Sequence, residues 1–398
     1  MGTAGGDARG GRRWGRRARP PRAWALAVTV AALAASGCGP VPAPPARTAS
    51  GAGHGASHAA APAAHFHFES SSGIQVPPGF RAEVYATGLQ HPTAMAYGPD
   101  GRLYVTEQGG RVVVVPPGST QPLPFAAGFS TPLGLAWIGR RLYVSAQGQI
   151  DALTLARGRG VDRTVLVSGL PYGEHQQDNI VAGPGGWLYV GSGSTCDVCH
   201  EASPQSAAIL ALRPNGTGLH VVASGVRNPY GLAVQPGTGR LYATVNGQDN
   251  LGTATDPEPA DMLVHVLPGH WYGWPTCWPD ATLLVMEGRC AGVTPPAVYL
   301  GPHASADGLA FYTGRSFPSS YRGNLFIAEW GEYDSTGGPG RRLLRVVLQP
   351  DGTAPISAVS VFAQGFQHPL AVIVDPRGAL LVADWGRGII YRIQAAGG

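Results

Sequence analysis

Residues 101–105 read Gly-Arg-Leu-Tyr-Val, a glycine turn that leads into a short apolar strand, and this pattern returns five more times along the chain. The β-branched and aromatic content predicts β-strands, and the Gly and Pro turns between them predict antiparallel pairing. The six copies are centred on Leu103, Leu142, Leu188, Leu241, Leu325 and Leu380. Such self-similarity is typical of repeat architectures.

A second shared element, Gly-x-x-x-Pro, precedes four of the six strands. It occurs at residues 88–92, 128–132, 225–229 and 365–369, and the third and fifth copies have Gly-Glu-His at 173–175 and Pro-His-Ala at 302–304 instead. Dividing residues 73–398 by six gives about 54 residues per unit, which suits a four-stranded blade. We therefore predict an all-β, six-bladed β-propeller over residues 73–398. A stacked β-solenoid is the alternative, although its repeats are shorter and more uniform.

The spacing of the strands predicts one long insertion. The step from Leu241 to Leu325 is the longest, and the extra residues span about 247–300 and include Cys277 and Cys290. We assign this insertion to the fifth blade and expect a disulfide to hold it over one face.

The first 72 residues predict export and a tether. Seven arginines between Arg9 and Arg22 precede an apolar run at 23–35 that is too short to span a bilayer, and Ser36-Gly37-Cys38 follows. We predict a signal peptide over residues 1–38 with a lipobox at Cys38, and an Ala/Pro/His-rich flexible linker over residues 39–72. Because Ala35 stands where leucine is usual, ordinary signal cleavage is the alternative. The expectation is an exported, cell-surface or periplasmic lipoprotein that meets the membrane only through its lipid anchor.

Charge gives no support to nucleic-acid binding. Residues 1–37 hold seven of the 28 basic residues and one of the 24 acidic residues, so the remainder carries 21 against 23 and a net charge of −2. The basic character belongs to the leader, and we predict no nucleic-acid partner.

The four cysteines beyond Cys38 form an even set, which in an oxidising compartment indicates two disulfides. Closeness in sequence favours Cys196–Cys199 and Cys277–Cys290, although three connectivities are formally possible. Residues 196–200, Cys-Asp-Val-Cys-His, also match the attachment pattern of c-type haem. They directly follow a predicted blade strand, and no predicted helical cytochrome domain surrounds them.

Equivalent turns of a closed propeller gather around the axis on one face, where they can converge on one ligand. The turn before the first strand of each blade offers in order His91, Thr131, His175, Arg227 with Asn228, His303 and His368. Each residue alone is compatible with a purely structural turn. Four histidines and an arginine in the same register together predict a polar, titratable pocket.

Six further motifs carry a family resemblance. They are Val-Pro-Pro-Gly-Phe at 76–80, Glu-His-Gln-Gln-Asp-Asn-Ile-Val at 174–181, Gly-Ser-Gly-Ser-Thr-Cys-Asp-Val-Cys at 191–199, Gly-Val-Arg-Asn-Pro at 225–229, Tyr-Gly-Trp-Pro at 272–275 and Phe-Tyr-Thr-Gly at 311–314. Together they resemble the glucose/sorbosone dehydrogenases over about residues 74–394. The resemblance implies oxidation of a small-molecule sugar by pyrroloquinoline quinone (PQQ) with calcium, and an external electron acceptor.

The resemblance also implies roles for individual residues. His175 corresponds to the general base that takes the proton of the sugar hydroxyl as hydride passes to the quinone, and Glu174 to an acid that orients it. Arg227 and Asn228 correspond to the pair at the cofactor. The backbone carbonyls of Gly247 and Gln248 correspond to calcium ligands.

The chain departs from the family pattern in the sixth blade. The arginine-containing turn of the glucose enzymes reads Gln-His-Pro-Leu at 367–370, and the chain has no lysine to contact the cofactor. Arg341 or Arg342 is the candidate replacement, so the predicted cofactor-binding residues are Glu174, Arg227, Asn228, His303, Arg342 and His368.

Three other functions remain open at this stage. The chain can be a family member that keeps the fold without the quinone, a calcium-dependent lactonase-type hydrolase, or a non-catalytic surface binding propeller. The six turns carry no ring of acids of the kind that an axial hydrolytic metal needs.

Overall fold

The computed structural model describes residues 69–251, 259–332 and 339–397, with side chains from residue 72 onward. The signal peptide, the lipidation site Cys38 and most of the linker predicted from the sequence lie outside these residues. Within these ranges, no helix has both the length and the apolar character needed to cross a bilayer. The helical elements are the short 3₁₀ turns Pro184–Gly186, Ser319–Tyr321 and Ile356–Ala358.

Antiparallel strands form six blades, which confirms the predicted propeller. The first three strands of the chain are β1 (Glu69–Ser71), β2 (Ile74–Val76) and β3 (Phe80–Ala86). Blades one to three consist of β4 (Pro92–Tyr97), β5 (Leu103–Glu107), β6 (Arg111–Val115), β7 (Leu123–Ala127), β8 (Gly134–Ile138), β9 (Arg141–Ala146), β10 (Gln149–Ala156), β11 (Arg159–Ser168), β12 (Gln177–Ala182), β13 (Leu188–Ser192), β14 (Ala208–Leu212) and β15 (His220–Ser224). The remaining strands are β16 (Leu232–Val234), β17 (Leu241–Val245), β18 (Ala260–His265), β19 (Cys277–Pro279), β20 (Met286–Gly288), β21 (Val298–Pro302), β22 (Ala306–Phe311), β23 (Leu325–Glu329), β24 (Arg342–Val346), β25 (Val359–Gln364), β26 (Pro369–Val374), β27 (Leu380–Asp384) and β28 (Ile389–Ala395).

The N-terminal strands close the ring. Blade six contains β26, β27 and β28, and its fourth, outermost strand is β3 from the other end of the chain. Blade five contains β22 to β25, and β2 pairs with β25 through Gln75 and Gln364, with β1 outside it. β1 lies within the last residues of the segment predicted as linker.

The long insertion belongs to blade four, so its assignment to blade five was wrong. Blade four has the order β16, β17, β18 and β21, and the β19–β20 hairpin lies between its third and fourth strands. Spacing of the second-strand repeats could not distinguish the two blades, because an insertion after the second strand of one blade lengthens the same step as an insertion before the next. The disulfide Cys277–Cys290 holds this hairpin, as predicted.

The hydrophobic core is divided into six layers, one between each pair of neighbouring blades. Alternate residues of a strand point to opposite faces of its sheet and therefore contribute to different layers. In β9, Leu142 and Val144 pack against blade one, whereas Tyr143 packs against blade three. This two-sided burial is the reason why the second strand is the most apolar and most recognisable part of each repeat.

The innermost strands surround the axis and place the turns. β4, β8, β12, β16, β22 and β26 contact one another in a closed ring, and they line a channel of about 430 Å³. All six run in the same direction along the axis, so the turns that precede them lie on one face, called here the turn face. The turn residues predicted from the sequence, His91, Thr131, His175, Arg227 with Asn228, His303 and His368, all come from this face.

Candidate active site

His175 lies on the turn face two residues before β12, and its neighbours fix the tautomer of its ring. Its Nδ1 is 3.0 Å from Ser194 Oγ, and the Ser194 hydroxyl donates its single proton to the Cys196 carbonyl at 2.7 Å. Ser194 Oγ therefore accepts from Nδ1–H, and the neutral imidazole carries its lone pair on Nε2. This is the arrangement that a proton acceptor needs.

Burial and a nearby cation keep this imidazole neutral. Burial, together with the positive charge of Arg227, lowers the pKa of His175 to about 3. The lone pair on Nε2 is therefore present throughout the neutral pH range.

Arg227 is held in a cage of oxygen atoms. The residue is 3 % exposed, and its Nη2 lies 2.6 Å from Asp249 Oδ2, 2.9 Å from Asp197 Oδ1 and 3.7 Å from Glu174 Oε1. Its Nη1 donates to the Gly247 carbonyl at 2.6 Å. Three carboxylates around one guanidinium leave an excess of negative charge at this place.

Blade three and the blade-four insertion jointly position Asp197. The Cys196–Cys199 disulfide, which confirms the predicted pairing, encloses it in a tight loop. Trp274 of the insertion donates from Nε1 to the Asp197 carbonyl at 2.9 Å, and the Asp197 carboxylate also accepts the backbone N–H of Asp249 at 2.8 Å. The insertion therefore supports the loop that carries one of the partners of Arg227.

Asn228 presents an unpaired acceptor. Asn246 donates from Nδ2 to the Ala306 carbonyl at 2.9 Å, so its Oδ1 is the atom that accepts from Asn228 Nδ2 at 2.8 Å. This orientation leaves Asn228 Oδ1 buried and without a hydrogen-bond partner among the described residues. An unsatisfied buried acceptor costs about 1–3 kcal/mol, so this atom fits a donor group on a bound ligand.

Gly193 allows His175 and Asn228 to share one space. A Cβ at position 193 would lie 2.4 Å from His175 Cβ and 3.0 Å from Asn228 Oδ1. Only glycine permits this close approach. The two predicted site residues from blades three and four are therefore neighbours.

The predicted calcium ligands adjoin the cage around Arg227. Gly247 donates its N–H to Asp261 Oδ1 at 3.0 Å while its carbonyl faces Arg227. Gln248 is 4 % exposed, and its Oε1 has no partner among the described residues. Carbonyl, amide and carboxylate oxygens are the ligands that calcium takes, and a divalent cation would offset the excess negative charge. The residues present here fit a calcium ion.

Arg342 is engaged by a buried acid. Its Nε pairs with Glu329, whose side chain is fully buried. Burial raises the pKa of Glu329 to about 7, against the opposing effect of Arg342. Part of the positive charge of Arg342 is therefore balanced by Glu329. An anionic ligand would meet less positive charge here than the sequence prediction of Arg342 as a cofactor-binding residue assumed. Burial raises the pKa of Asp261 to about 6, against the opposing effect of the backbone N–H groups of Gly247 and Ala306 and of nearby His303.

The turns of blades five, six and one carry stacked aromatic rings. His368 stacks on Trp330 with ring centroids 3.9 Å apart, and its Nδ1 donates to the Trp330 carbonyl at 3.0 Å. His91 stacks on Trp385 at 4.2 Å, and the two tryptophan rings meet at 5.6 Å. We call these four residues the aromatic half of the turn face, and His175, Arg227 and Asn228 with Glu174, Asp197 and Asp249 the polar half. Thr131 lies beside the polar half, where its carbonyl accepts from Gln176 Nε2 at 2.7 Å.

Sequence reasoning missed several residues of this face. Asp197 and Asp249 could have been noticed, since Asp197 follows the predicted disulfide residue Cys196 and Asp249 follows the predicted calcium ligand Gln248. Their pairing with Arg227, however, joins positions 30 and 22 residues apart. Trp330 and Trp385 each follow the second strand of a blade directly, a position that meets the turn face in every blade.

The cysteines of blade three do not form a haem or metal site. Both are consumed by the disulfide. Glu201 lies near them, yet disulfide sulfurs are not the thiolates that a metal ion requires.

Solved structures of other proteins share this fold. An oxidoreductase from Thermus thermophilus assigned as a glucose dehydrogenase is 27 % identical, with 79 % of this chain and 100 % of that chain covered and a TM-score of 0.62. The PQQ-bound aldose sugar dehydrogenase from Streptomyces coelicolor is 22 % identical, with 80 % and 99 % covered and a TM-score of 0.63. The calcium structure of a Trichoderma reesei carbohydrate-active enzyme of family AA12 is 18 % identical, with 81 % and 96 % covered and a TM-score of 0.68.

The sequence itself matches a protein-family model. The match to the glucose/sorbosone dehydrogenase model covers residues 152–382, more than half of the chain, and includes the whole polar half of the turn face. The chain therefore belongs to the glucose/sorbosone dehydrogenase family.

Proposed function

We propose that this protein oxidises a sugar or a related polyol-derived substrate with PQQ and calcium, and passes the electrons to an external acceptor. One observation carries the proposal: His175, whose neutral ring keeps a lone pair on Nε2, and Asn228, whose Oδ1 is unpaired, come from neighbouring turns and approach each other closely at Gly193. A proton acceptor and a ligand-orienting acceptor in one space suit the removal of a hydroxyl proton from a bound substrate.

His175, Arg227 and Asn228 have separate tasks in this proposal. His175 accepts the hydroxyl proton at Nε2, while Ser194 holds the ring through Nδ1. Arg227 presents a fixed positive charge, and Asn228 orients the bound group by accepting a hydrogen bond. The quinone, when bound, supplies a two-electron acceptor, and calcium beside Gly247 and Gln248 supplies a Lewis acid.

A bound anion also brings the basicity of His175 into a useful range. The pKa of about 3 reflects burial and the charge of Arg227. Negative charge placed beside the ring raises the pKa of an imidazole. An anionic group bound beside His175 would therefore raise its basicity, whereas a calcium ion beside Gly247 would oppose that rise.

The aromatic half is the proposed surface for the carbon face of the sugar. Pyranose rings pack their apolar C–H face on indole rings and keep their hydroxyls for polar groups. Trp330 and Trp385 provide indole rings on the same face as His175.

The experiment reconstitutes metal-free protein with PQQ and calcium and follows dye reduction with a panel of aldoses. Sugar-dependent reduction that needs both additions is expected, and His175→Gln should abolish most of it. A matched control is Trp187→Leu, because Trp187 lies under Arg213 on the far side of blade three. Cleavage of lactones without dye reduction would instead favour a hydrolase, and neither activity would favour a binding propeller.

We also propose that the protein is exported and anchored by a lipid on Cys38. The composition of residues 1–72 supports this proposal. Membrane-associated protein that becomes soluble in Cys38→Ser is the expected result in fractionated cells. Equal solubility of both forms would contradict the anchor.

A further inference from the structure

One residue per blade forms a ring around the axis just inside the turn face. The residues that follow the ring members hold equivalent positions near the start of the innermost strands, and they are Ala94, Gly134, Asn179, Gly231, Gly308 and Ala371. Four of the six ring members lie where the innermost strand shifts register against its neighbour. Thr93, Tyr230 and Leu370 of this set line the axial channel. The ring, called here the axial ring, consists of Thr93, Leu133, Asp178, Tyr230, Asp307 and Leu370.

The titratable members of the axial ring all lie on one side, whereas the hydroxyl of Thr93 on the opposite side is satisfied by the Pro132 carbonyl at 2.7 Å. Blades three, four and five contribute Asp178, Tyr230 and Asp307 in succession, and these are 2 %, 8 % and 3 % exposed. Neither Asp178 Oδ2 nor the Tyr230 hydroxyl has a hydrogen-bond partner among the described residues. For Asp307, the side chain of Ser305 contacts Oδ2 at 3.4 Å, a long and weak contact, and the amide of Asn246 lies nearby.

The three side chains influence one another through the low-dielectric interior. Burial raises the pKa of Tyr230 well above its ordinary value, and the charges of Asp307 and Asp178 add to that rise. Burial also raises the pKa of Asp307, with further contributions from Asp261 and Asp178. The backbone brings the three residues together: a Cβ at Gly191 would lie 3.5 Å from Asp178 Cβ and 2.1 Å from the Pro229 carbonyl oxygen, and a Cβ at Gly231 would lie 2.2 Å from the Asp307 carbonyl oxygen.

Other buried acids of this protein show what is missing here. Glu107, Asp151, Glu329, Asp375 and Asp384 each form an ion pair with an arginine of their own or the adjacent strand region. Asp261 and Asp280 instead each accept two backbone N–H groups. No ion pair to an arginine occurs at Asp178 or Asp307 in the part of the chain that the structure describes. When ionised, these two carboxyl groups carry negative charge that no arginine offsets, next to a phenol oxygen without a partner, and a bound cation would balance that charge.

We propose that Asp178, Tyr230 and Asp307 bind a calcium ion between the innermost strands of blades three, four and five, separate from the calcium expected at Gly247 and Gln248. The donors are hard oxygens without histidine or thiolate, which favours calcium over zinc. The ion would join three successive blades. Because its ligands are enclosed between innermost strands, its role is to stabilise the fold beneath the polar half.

The test uses the full protein without quinone, freed of metal by chelation. Calcium bound per chain is measured by equilibrium dialysis and elemental analysis, and the unfolding temperature is measured as calcium is added. Wild-type protein should bind one calcium more than Asp178→Asn or Asp307→Asn, and both variants should lose most of the calcium-dependent rise in unfolding temperature. Asp151→Asn is the matched control, because Asp151 is equally buried but is paired with Arg163, and its calcium stoichiometry should equal that of wild type.

A second variant tests the same site if the asparagine variants fold poorly. Tyr230→Phe removes only the phenol oxygen, and it should weaken calcium binding about tenfold without changing the unfolding temperature of the metal-free protein. Asp249→Asn, at the other site, should leave this ion in place.

The proposal is overturned if the asparagine variants bind as much calcium as wild type, or if they are more stable than wild type in chelator with an unchanged calcium response. The second result would mean that the two acids are simply protonated in the folded protein. Because no quinone or sugar is used, the outcome does not depend on the proposed dehydrogenase activity.

Discussion

The polar half and the aromatic half of the turn face occupy equivalent places in the same six-bladed ring, yet one presents charged and hydrogen-bonding side chains and the other presents stacked aromatic rings. In the polar half, buried Arg227 is surrounded by three carboxylates, and Asn228 keeps an acceptor unpaired. In the aromatic half, His368 and His91 lie flat against Trp330 and Trp385. The difference indicates that one half carries the charge chemistry and the other supplies an apolar surface, although both contain histidine at the same turn position.

The largest expected effect tests whether the polar half alone carries proton transfer. His175→Gln should lower kcat of the reconstituted enzyme by about 10²–10⁴-fold, the usual contribution of a general base. The equivalent histidine of the aromatic half is the matched control, and His368→Gln should change kcat far less than KM. Steady-state kinetics on both variants distinguish the halves, and equal losses of kcat would break the comparison.

The next effect tests the cage around Arg227. Arg227→Met leaves its three carboxylates without their cation, and we expect the unfolding free energy to fall by roughly 1–3 kcal/mol, since the acids are partly exposed and can rehydrate. Urea unfolding of the metal-free protein measures this loss. Addition of calcium should reduce the difference in unfolding free energy between Arg227→Met and wild type, because a divalent ion can replace the missing charge. A loss that calcium does not reduce would argue against a cation site beside Gly247.

A smaller effect tests the aromatic half as a sugar surface. Trp385→Leu should raise KM for aldoses about two- to tenfold, in keeping with the 0.5–1.5 kcal/mol of an aromatic contact, and should leave kcat nearly unchanged. The same substitution at Trp187, which stacks under Arg213 away from the turn face, is the control. If KM responds equally to both, the effect is one of stability rather than of binding.

The smallest effect concerns pH. Because the pKa of His175 is lowered to about 3 in the folded protein, its ring should not titrate between pH 5 and 8, as followed by its NMR resonance in the metal-free protein. Unfolding in urea should return the transition to about 6.5. The unfolded chain then binds a proton that the folded chain does not, so this residue lowers stability as pH falls from about 6.5 towards 3. Titration of the folded ring near neutral pH would contradict the burial described here.

Part of the candidate site could be predicted from the sequence. The register of the turn motifs placed His175, Arg227 and Asn228 on one face, because each turn keeps a fixed distance from a second strand with an unmistakable apolar pattern. The partners of Arg227 could not be predicted, since Asp197 and Asp249 come from separate loops whose approach depends on a disulfide and on Trp274. The pairing of Arg342 with Glu329 joins neighbouring strands and becomes visible only with their register.

The sequence by itself determined the six blades and the face on which the turns meet, and it favoured the two disulfides. These features are local, because strand alternation, turn residues and short cysteine spacings act over a few residues. Only the tertiary structure decided that β3 closes blade six, that the insertion belongs to blade four, and which way the amide of Asn228 points. Those outcomes depend on contacts between groups far apart in the chain, and local periodicity contains no information about which distant hydrogen bonds and charges are satisfied.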